Sequence, residues 1–327
     1  MTRAGNAGRQ IVLDLHAVIV AVAEEVPRIL TVSRRALAGD PGEEVEALPF
    51  GPLDPAGDRT LELGLREWVR EQTGLQLGYV EQLYTFGDRD RGVESAEERV
   101  ISIAYLALVG HSAPSGSPGA RWRGIYQYFP WEDWRRGRPK ELDAAVIPGF
   151  DAWVASVDDA ESRRQRRERA DIAFGLGGSR WDGNRVLPRY ELLYEVGLVD
   201  EASWDRDRRP AESGLGRPMA LDHRRMVATA LGRLRGKIQY RPVVFEVLPE
   251  TFTLLRLQRV VEAFSGMRLH KQNFRRLVER GGLVEGTGRR DTGTGGRPAE
   301  LFRFRREVLR ERPTPGVGLP GARPGSA

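Results

Sequence analysis

The sequence predicts an α+β protein in which a mixed N-terminal domain and a helical middle segment precede a C-terminal winged helix-turn-helix. Three observations carry this prediction. Short β-branched runs and one amphipathic stretch alternate over residues 1–140. Helical periodicity dominates residues 150–237. Residues 253–304 follow the order helix, turn, helix, strand, glycine-rich basic loop and strand, which is the order of a winged helix.

The composition excludes several classes of protein. Hydrophobic residues make up 40% of the chain and charged residues 30%, as in a globular protein with sizeable cores. The absence of cysteine excludes disulfides, cysteine-ligated metals and a thiol nucleophile, and four histidines argue against a histidine-rich metal site. The longest apolar run near the start, residues 17–23, is far shorter than the roughly 20 residues that span a membrane. Because the N-terminus also lacks a signal-peptide pattern, we expect a cytoplasmic protein without membrane contact.

Positive charge is concentrated in the last quarter of the chain. The whole chain has a formal net charge of +5, but residues 241–312 hold 16 Lys and Arg against 9 Asp and Glu. The rest of the chain is therefore close to neutral. This distribution is typical of a DNA-binding module attached to a neutral sensor.

Hydrophobic periodicity locates the elements of the N-terminal and middle segments. A helix is predicted at about 59–72, because Leu61, Leu65 and Trp68 share one face and Gly74 can end it. A hairpin with its turn at 24–27 opens the chain. The predicted strands are 11–20, 28–32, 83–86, 100–109 and 126–129, and the predicted middle helices are 150–174, 187–199 and 221–237.

Local signals are clearest in the C-terminal segment. Thr253 is a good N-cap for a helix that reaches about Ser265, and a second helix at about 271–280 can end at Gly281-Gly282. Strands are expected at 283–284 and 301–304, on either side of the loop 286–296. These signals divide the chain into a mixed domain (10–140), a helical linker or dimerisation segment (141–235), a winged helix-turn-helix (236–311) and a Pro/Gly-rich tail predicted to be disordered (312–327).

The second helix of a helix-turn-helix lies in the major groove, so its side chains are candidates for reading DNA. Phe274, Leu277 and Val278 share an inward face, and polar side chains project elsewhere. Gln, Asn and Arg pair with purine edges, Lys and Arg neutralise phosphates, and wing glycines permit close approach to the DNA. The predicted DNA-binding residues are Lys271, Gln272, Asn273, Arg275 and Arg276 of the helix and Arg289, Arg290 and Arg297 of the wing. The alternative is an ordinary amphipathic helix with a solvated basic side.

Residues 49–75 resemble the loop–helix motif with which Nudix hydrolases hold Mg²⁺, G-x5-E-x7-R-E-U-x-E-E-x-G-U. Two registers stay open. The first register is anchored on Gly74-Leu75. The arginine–glutamate pair of the motif then falls on Glu67-Trp68, and its two adjacent metal glutamates fall on Glu71-Gln72. The upstream glutamate falls on Arg59.

The second register of this motif is anchored on Arg66-Glu67. The later glutamate positions then become Arg70-Glu71, and the glycine becomes Thr73. Neither register supplies the full set of carboxylates, and an arginine in the cluster repels Mg²⁺. We therefore predict no catalytic residue, no bound metal and no pyrophosphate hydrolysis. In the alternative interpretation, Glu67 and Glu71 are simply exposed helix residues.

Several longer runs carry a family resemblance. They are EQLYTFGD at 81–88, VISIAYL at 100–106, GKIQYRP at 236–242, PETFTL at 249–254, NFRR at 273–276 and GGRPA at 295–299. In these runs the chain resembles the Nudix-related transcriptional regulators of NAD metabolism, the NrtR family, over about 10–135 and 221–310. The middle segment resembles only the longer NadQ-type branch, in WDG at 181–183 and LPRYELL at 187–193.

The resemblance implies a Nudix-like α/β/α sandwich that binds a NAD-related nucleotide and a winged helix that represses genes of NAD biosynthesis or salvage. ADP-ribose, NAD or a related nucleotide would be the effector, would weaken DNA binding, and no cofactor would be required. The ligand residues that the resemblance implies, in and around the loop 48–54, are Gly51, Leu53, Asp54, Glu71, Tyr84 and Phe86. Ordinary strand and loop packing is the alternative for these positions.

The chain departs from the family pattern at two places. His270 stands where the family has an N-capping Asp before the recognition helix, and an imidazole is a weaker cap. In the ligand loop, Phe50 and Pro52 flank a single Gly51.

The sequence thus favours a ligand-responsive repressor that binds double-stranded operator DNA. It would act as a homodimer, because helix-turn-helix repressors read two half-sites. An active Nudix pyrophosphohydrolase with an appended nucleic-acid-binding domain is the main alternative, and the carboxylate count argues against it. A third hypothesis, an RNA-binding accessory protein, lacks exposed aromatic stacking motifs in the basic segment.

Overall fold

The computed structural model describes residues 10–35, 44–88, 98–110, 119–204, 215–291, 298–311 and 315–317. Within these ranges, the first half forms a seven-stranded sheet of β1 (Gln10–Ala23), β2 (Val26–Arg35), β3 (Glu44–Ala47), β4 (Phe50–Pro52), β5 (Tyr79–Phe86), β6 (Glu98–Leu108) and β7 (Arg121–Gly124). The order is β3-β2-β1-β6-β5, with β4 paired to β1 and β7 to β2. Strands β1 and β6 run parallel, and the other pairs are antiparallel.

Both faces of this sheet are covered, which explains why its central strand reads as a near-continuous apolar run. On one face, Leu15, Ala17 and Ile19 of β1 pack against helix α1 (Leu61–Thr73), whose Leu65 is buried in the same cluster. On the other face, Val18 and Val20 join the larger core that the helices of the second half complete.

The predicted hairpin and first helix are confirmed. Glu24 and Glu25 form the turn between β1 and β2, both with positive φ, as in the mirror-image turns that suit a twisted hairpin. Thr60 caps α1 by accepting a hydrogen bond from the backbone N of Leu63 at 3.1 Å, and Gly74 ends the helix at a φ of 72°.

The predicted strand at 126–129 is wrong. The extended segment lies earlier, in β7 (Arg121–Gly124), and the chain then curls into a 3-10 turn at Ile125–Gln127. A strand sends alternate side chains to opposite faces, whereas Tyr126, Tyr128 and Phe129 are all buried in the same core. Burial of near-consecutive side chains therefore favours the curled backbone.

The predicted long helix at 150–174 is also wrong, because two helices occupy it. A π-helical turn (Leu142–Val146) leads into α2 (Ile147–Ala155), and α3 (Ala160–Phe174) starts again after a short loop. Asp159 caps α3 by accepting from the backbone N of Ser162 at 2.7 Å. The two helices then fold against each other, with the Arg166 guanidinium 4.8 Å from the centre of the Trp153 ring.

Three further helices complete the middle of the chain: α4 (Val186–Val196), α5 (Asp200–Trp204) and α6 (His223–Ile238). The predicted helix at 187–199 is therefore shorter, because Gly197 adopts a φ of 83° and ends α4. Helix α6 contacts α4, α7 (Leu254–Ser265), β1 and β5.

The C-terminal elements have the predicted winged-helix order. After α7 come α8 (Lys271–Gly281), β8 (Val284–Asp291), β9 (Ala299–Phe304) and α9 (Val308–Glu311). Thr253 caps α7 as expected, by accepting from the backbone N of Arg256 at 3.2 Å. Phe252 and Phe302 exchange backbone hydrogen bonds of 2.9 and 2.8 Å, which adds a third short strand position to the β8–β9 hairpin.

Residues 315–317 pack against the core. Residues 312–314 and 318–327 of the predicted tail lie outside the described residues. Between them, Val317 is buried and its backbone N donates to the backbone O of Ile238 at 2.9 Å, so this segment covers the last turn of α6. No helix in the described ranges combines the length and the apolar character needed to cross a membrane.

Candidate nucleic-acid interface and nucleotide cleft

The exposed side of α8 carries the residues predicted to read DNA. Phe274 and Val278 anchor the helix, since each is at most 1% exposed. The predicted contact residues all stand exposed on the remaining surface: Lys271, Gln272, Asn273, Arg275 and Arg276. Among the described residues, none of their side chains has an ion-pair partner. Lys271, Arg275 and Arg276 are therefore available to an external anion.

Helix α3 shows that a basic helix need not be a binding surface. Its sequence is rich in arginine, but Arg164 pairs with Glu161 at 2.8 Å, Arg167 with Asp151 at 2.6 Å and Arg169 with Glu195 at 2.5 Å. Carboxylates thus pair with three of the five arginines of α3, whereas Lys271, Arg275 and Arg276 of α8 face outward without such a partner among the described residues.

The start of α8 is also open to an anion. His270 occupies the N-cap position with φ −68° and ψ 121°, but its side chain makes no capping hydrogen bond. The expectation of a weak cap is therefore met. The first N–H groups of an uncapped helix are free to donate, and the helix dipole favours a negative charge there.

The wing contributes two described arginines. Arg289 and Arg290 are exposed near the C-terminal end of β8. The β8–β9 register shifts between Gly286 and Arg290, and Gly288 takes a φ of 72° within the shift. Arg297, the third predicted wing residue, lies outside the described residues.

Two aromatic residues predicted to bind the ligand lie on the sheet face that α6 covers. Strand register places Tyr84, Ala104, His16 and Phe50 in one row across β5, β6, β1 and β4. Side chains in one row point to the same face. Tyr84 is 58% exposed and its ring meets the buried Phe86 ring edge-on at 5.2 Å.

The other predicted ligand residues lie elsewhere. Gly51 and Leu53 belong to the α1 side of the sheet, where Leu53 packs against the smaller core. Asp54 closes its own loop by accepting from the backbone N of Ala56 at 2.8 Å. Glu71 is exposed on α1, on the face opposite Tyr84. The six predicted positions therefore form two groups on opposite faces of the sheet.

Two residues of α1 hold the ligand loop in place. The Trp68 indole N donates to the backbone O of Pro52 at 2.9 Å, and a Cβ on Gly51 would lie 2.2 Å from the Trp68 ring. The Gln72 amide accepts from the backbone N of Phe50 at 3.2 Å and donates to its backbone O at 2.6 Å. The loop thus lies directly against α1.

Sequence reasoning missed a buried histidine pair on the α6 side. His16 Nδ1 lies 3.0 Å from His223 Nε2, and the His16 ring stacks on Phe50 at 5.2 Å with an interplanar angle of 2°. The backbone N of Leu48 donates to His223 Nδ1 at 3.0 Å. The pair therefore joins the ligand loop, the centre of β1 and the first residue of α6.

The hydrogen bonds determine the tautomer of each ring. Because Leu48 N–H must donate, His223 Nδ1 is unprotonated, and His223 Nε2–H donates to His16 Nδ1. His16 then carries its proton on Nε2. Both rings are neutral, since burial lowers the pKa of His16 to about 3 and holds the pKa of His223 well below its usual range, with Arg34 adding to both shifts.

A buried charge cluster joins the first half of the chain to the winged helix. Glu132 accepts from Arg189 of α4 at 2.5 and 2.9 Å and from Arg235 of α6 at 2.5 Å. Arg235 also donates to the backbone O of Phe264 in α7 at 3.0 Å. Burial by itself raises the pKa of Glu132, but the guanidiniums of Arg189 and Arg235 hold it below the usual value, so the carboxylate stays charged.

Comparison with known proteins identifies the C-terminal domain. Residues 244–304 match the family described as the NrtR DNA-binding winged helix domain. Over 93 residues, the chain is 37% identical to the ADPR responsive transcriptional repressor NtrR of Acinetobacter baylyi. That alignment spans 28% of this chain and 37% of the relative.

Two solved structures establish the fold over nearly the whole chain. Shewanella oneidensis NrtR, crystallised with a 27mer DNA, has a TM-score of 0.55 at 22% identity, covering 91% of this chain and 95% of that one. A MutT/nudix family protein of Enterococcus faecalis has a TM-score of 0.53 at 15% identity, covering 93% and 90%. The α+β fold class predicted from the sequence is thereby confirmed. The resemblance to the NrtR family is borne out over residues 244–304, which match its winged helix domain.

Proposed function

We propose that this chain is a DNA-binding transcriptional repressor of NAD biosynthesis or salvage genes, released from DNA when its Nudix-like domain binds a NAD-related nucleotide such as ADP-ribose. The exposed cations Lys271, Arg275 and Arg276 on α8, which have no ion-pair partner among the described residues, carry the proposal. The Acinetobacter relative that shares the 93-residue alignment is an ADPR responsive repressor, which supports the same assignment.

In the proposed complex, α8 enters the major groove and the wing lies along the backbone. Gln272, Asn273 and Arg275 offer amide and guanidinium groups that match purine edges. The wing arginines at 289, 290 and 297 neutralise phosphates, which fixes the register of the protein on DNA without reading sequence.

Replacing Arg275 or Arg276 by alanine is expected to weaken operator binding by about 1–3 kcal/mol, because a guanidinium contact to a guanine edge is lost. The duplex would be chosen by genome-wide mapping of bound DNA, and affinity would be measured by fluorescence anisotropy at fixed salt. Arg290→Ala should instead weaken binding to all sequences and reduce the salt slope by about one.

Arg164→Ala in α3 is the matched control for this experiment. It removes the same exposed charge, but one that Glu161 already neutralises, so DNA affinity should not change. If both α8 variants bind the operator as tightly as the wild type, α8 is not the recognition helix.

We also propose that the Nudix-like domain is a sensor without hydrolase activity. The register anchored on Gly74 is supported by the left-handed backbone of Gly74 and by the burial of Val69 and Leu75 at its two apolar positions. In that register, Trp68 and Gln72 occupy positions of two metal glutamates. Both residues hold the ligand loop instead, and a carboxylate at 72 could not donate to the backbone O of Phe50.

Purified protein is accordingly expected to release no phosphate-containing product from ADP-ribose or NADH in the presence of Mg²⁺, as followed by chromatography. Glu71 is the one carboxylate left at the adjacent glutamate positions of the supported register. Mg²⁺-dependent turnover that Glu71→Gln abolishes would establish the alternative, an active pyrophosphohydrolase with an appended nucleic-acid-binding domain.

The proposed assembly is a homodimer on two half-sites. Within each chain, the proposed boundaries between sensor, helical segment, winged helix and tail lie near residues 140, 235 and 311, and the second of them falls within the last turn of α6. One α8 reads a single half-site, and a two-fold axis places the second about one DNA turn away. This arrangement is the simplest way for a single winged helix per chain to reach operator affinity.

A further inference from the structure

His16 carries a buried polar group that the fold leaves unsatisfied. Its side chain is 1% exposed, and among the described residues its Nε2 has no hydrogen-bond partner. The tautomers derived above put the proton on this nitrogen, so the orphan group is a donor. A buried donor without an acceptor is costly, and such groups in native proteins require an explanation.

An aromatic ring that could stack on a base and a guanidinium that could attract a phosphate lie near this donor. In the row across the sheet, His16 lies between the exposed Tyr84 ring and the Phe50 ring, with the small Ala104 between Tyr84 and His16. An exposed aromatic ring can stack on a base. The Arg34 guanidinium lies 4.9 Å from the centre of the Phe50 ring and brings positive charge to the same place.

The partner of His16 begins a helix that reaches the winged helix. Helix α6 has 16 residues, which corresponds to about 24 Å. His223 at its first position bonds His16 and the backbone of Leu48, and Arg235 near its end bonds the backbone O of Phe264 in α7. A displacement of His223 at the start of α6 can therefore move Arg235 and the α7 backbone that Arg235 contacts.

We propose that His16 is a nucleotide-contacting residue, which donates Nε2–H to a ribose or phosphate oxygen of a nucleoside diphosphate, and that His223 couples this contact through α6 to the winged helix. This inference rests on the proposed function, since it assigns the contact and the transmission route within the same sensor. It makes His16 a residue that reads the ligand and His223 a positioning residue.

Substitution of a histidine by Asn or by Gln tests the roles of its two ring nitrogens separately. An Asn oxygen replaces Nδ1 of histidine and a Gln amide nitrogen replaces Nε2. His16→Asn therefore keeps the acceptor for His223 but removes the donor, whereas the matched His16→Gln keeps a donor at the ligand side. His223→Asn still accepts from Leu48 N–H but no longer reaches His16.

The test uses the full chain with ADP-ribose as the probe, measuring its binding by calorimetry and the operator affinity with and without it. His16→Asn should raise the dissociation constant for ADP-ribose about tenfold, and His16→Gln should stay within about threefold of the wild type. His223→Asn should bind ADP-ribose within about threefold but lose the response of DNA affinity. All three should bind DNA normally without ADP-ribose, which verifies their folding.

The outcomes separate the inference from the proposed function. A wild-type protein that binds no ADP-ribose overturns both, whereas a responsive wild type with unaltered binding in His16→Asn overturns the inference alone. A normal DNA response in His223→Asn overturns the coupling role. Histidine side-chain ¹⁵N spectra of the wild type give a test independent of variant folding: ADP-ribose should shift the protonated Nε2 of His16, and an unchanged signal contradicts the proposed contact.

Discussion

Glu132→Gln is expected to lower the free energy of unfolding by about 3–5 kcal/mol, the usual cost of leaving buried charges without their partner. Glu132 is 1% exposed and neutralises Arg189 and Arg235, which are themselves at most 2% exposed. An amide has nearly the same shape but no charge, so both guanidiniums would remain buried without their counter-ion. Urea denaturation followed by circular dichroism measures the effect.

Glu195→Gln is the matched control for this prediction. Glu195 pairs with Arg169, but about half of each side chain is exposed, at 47% and 53%. Water replaces the lost partner there, and the expected change is below about 1 kcal/mol. If Glu132→Gln destabilises the protein no more than Glu195→Gln, the buried cluster is not a stabilising junction between the two halves.

Gly266→Ala is expected to destabilise the protein by about 2–5 kcal/mol and to loosen the winged helix from the first half of the chain. Gly266 ends α7 with a φ of 72°, and a Cβ there would lie 2.3 Å from the backbone O of Glu132. Because that oxygen is backbone, the clash is relieved only by moving α7 away. The hydrogen bond of 2.7 Å from the backbone N of Trp134 to the backbone O of Gly266 would then lengthen or break.

Gly282→Ala separates the effect of backbone conformation from that of the clash. Gly282 ends α8 with a φ of 56°, but a Cβ there meets only the end of the flexible Arg305 side chain, at 3.2 Å. The expected loss is about 1–2 kcal/mol, from the left-handed conformation alone. Urea denaturation and limited proteolysis between the two halves measure both variants, and equal losses would contradict a close backbone contact at Gly266.

The two errors in the sequence-based prediction have different physical origins. The strand at 126–129 and the long helix at 150–174 were both predicted from apolar or helical patterns that local sequence supports. Burial of Tyr126 and its neighbours against α6 and α7 curls the first, and the Asp159 cap breaks the second. Contacts with distant segments decided the conformation in the first case, and a competing local cap did so in the second.

The candidate ligand residues illustrate the same limit. Phe50 and Gly51 are adjacent in sequence, but successive residues of a strand point to opposite faces, so Gly51 lies against α1 and Phe50 against His16. The family resemblance indicated the loop 48–54 but not which of its side chains point to which face of the sheet. His16 and His223 are separated by 207 positions, and the sequence contains no local signal that joins them.

The sequence by itself determined the two main helices of the winged helix, because caps such as Thr253 and stops such as Gly282 act on residues a few positions away. It did not determine β8, which extends to Asp291 through residues expected in a loop. It also determined where the positive charge lies. Only the tertiary structure decided which of these charges are free, since α3 and α8 are both basic and differ in their acidic neighbours in space. The buried groups at Glu132 and His16 likewise exist only once distant segments meet, because removing water from a polar side chain makes its partners matter.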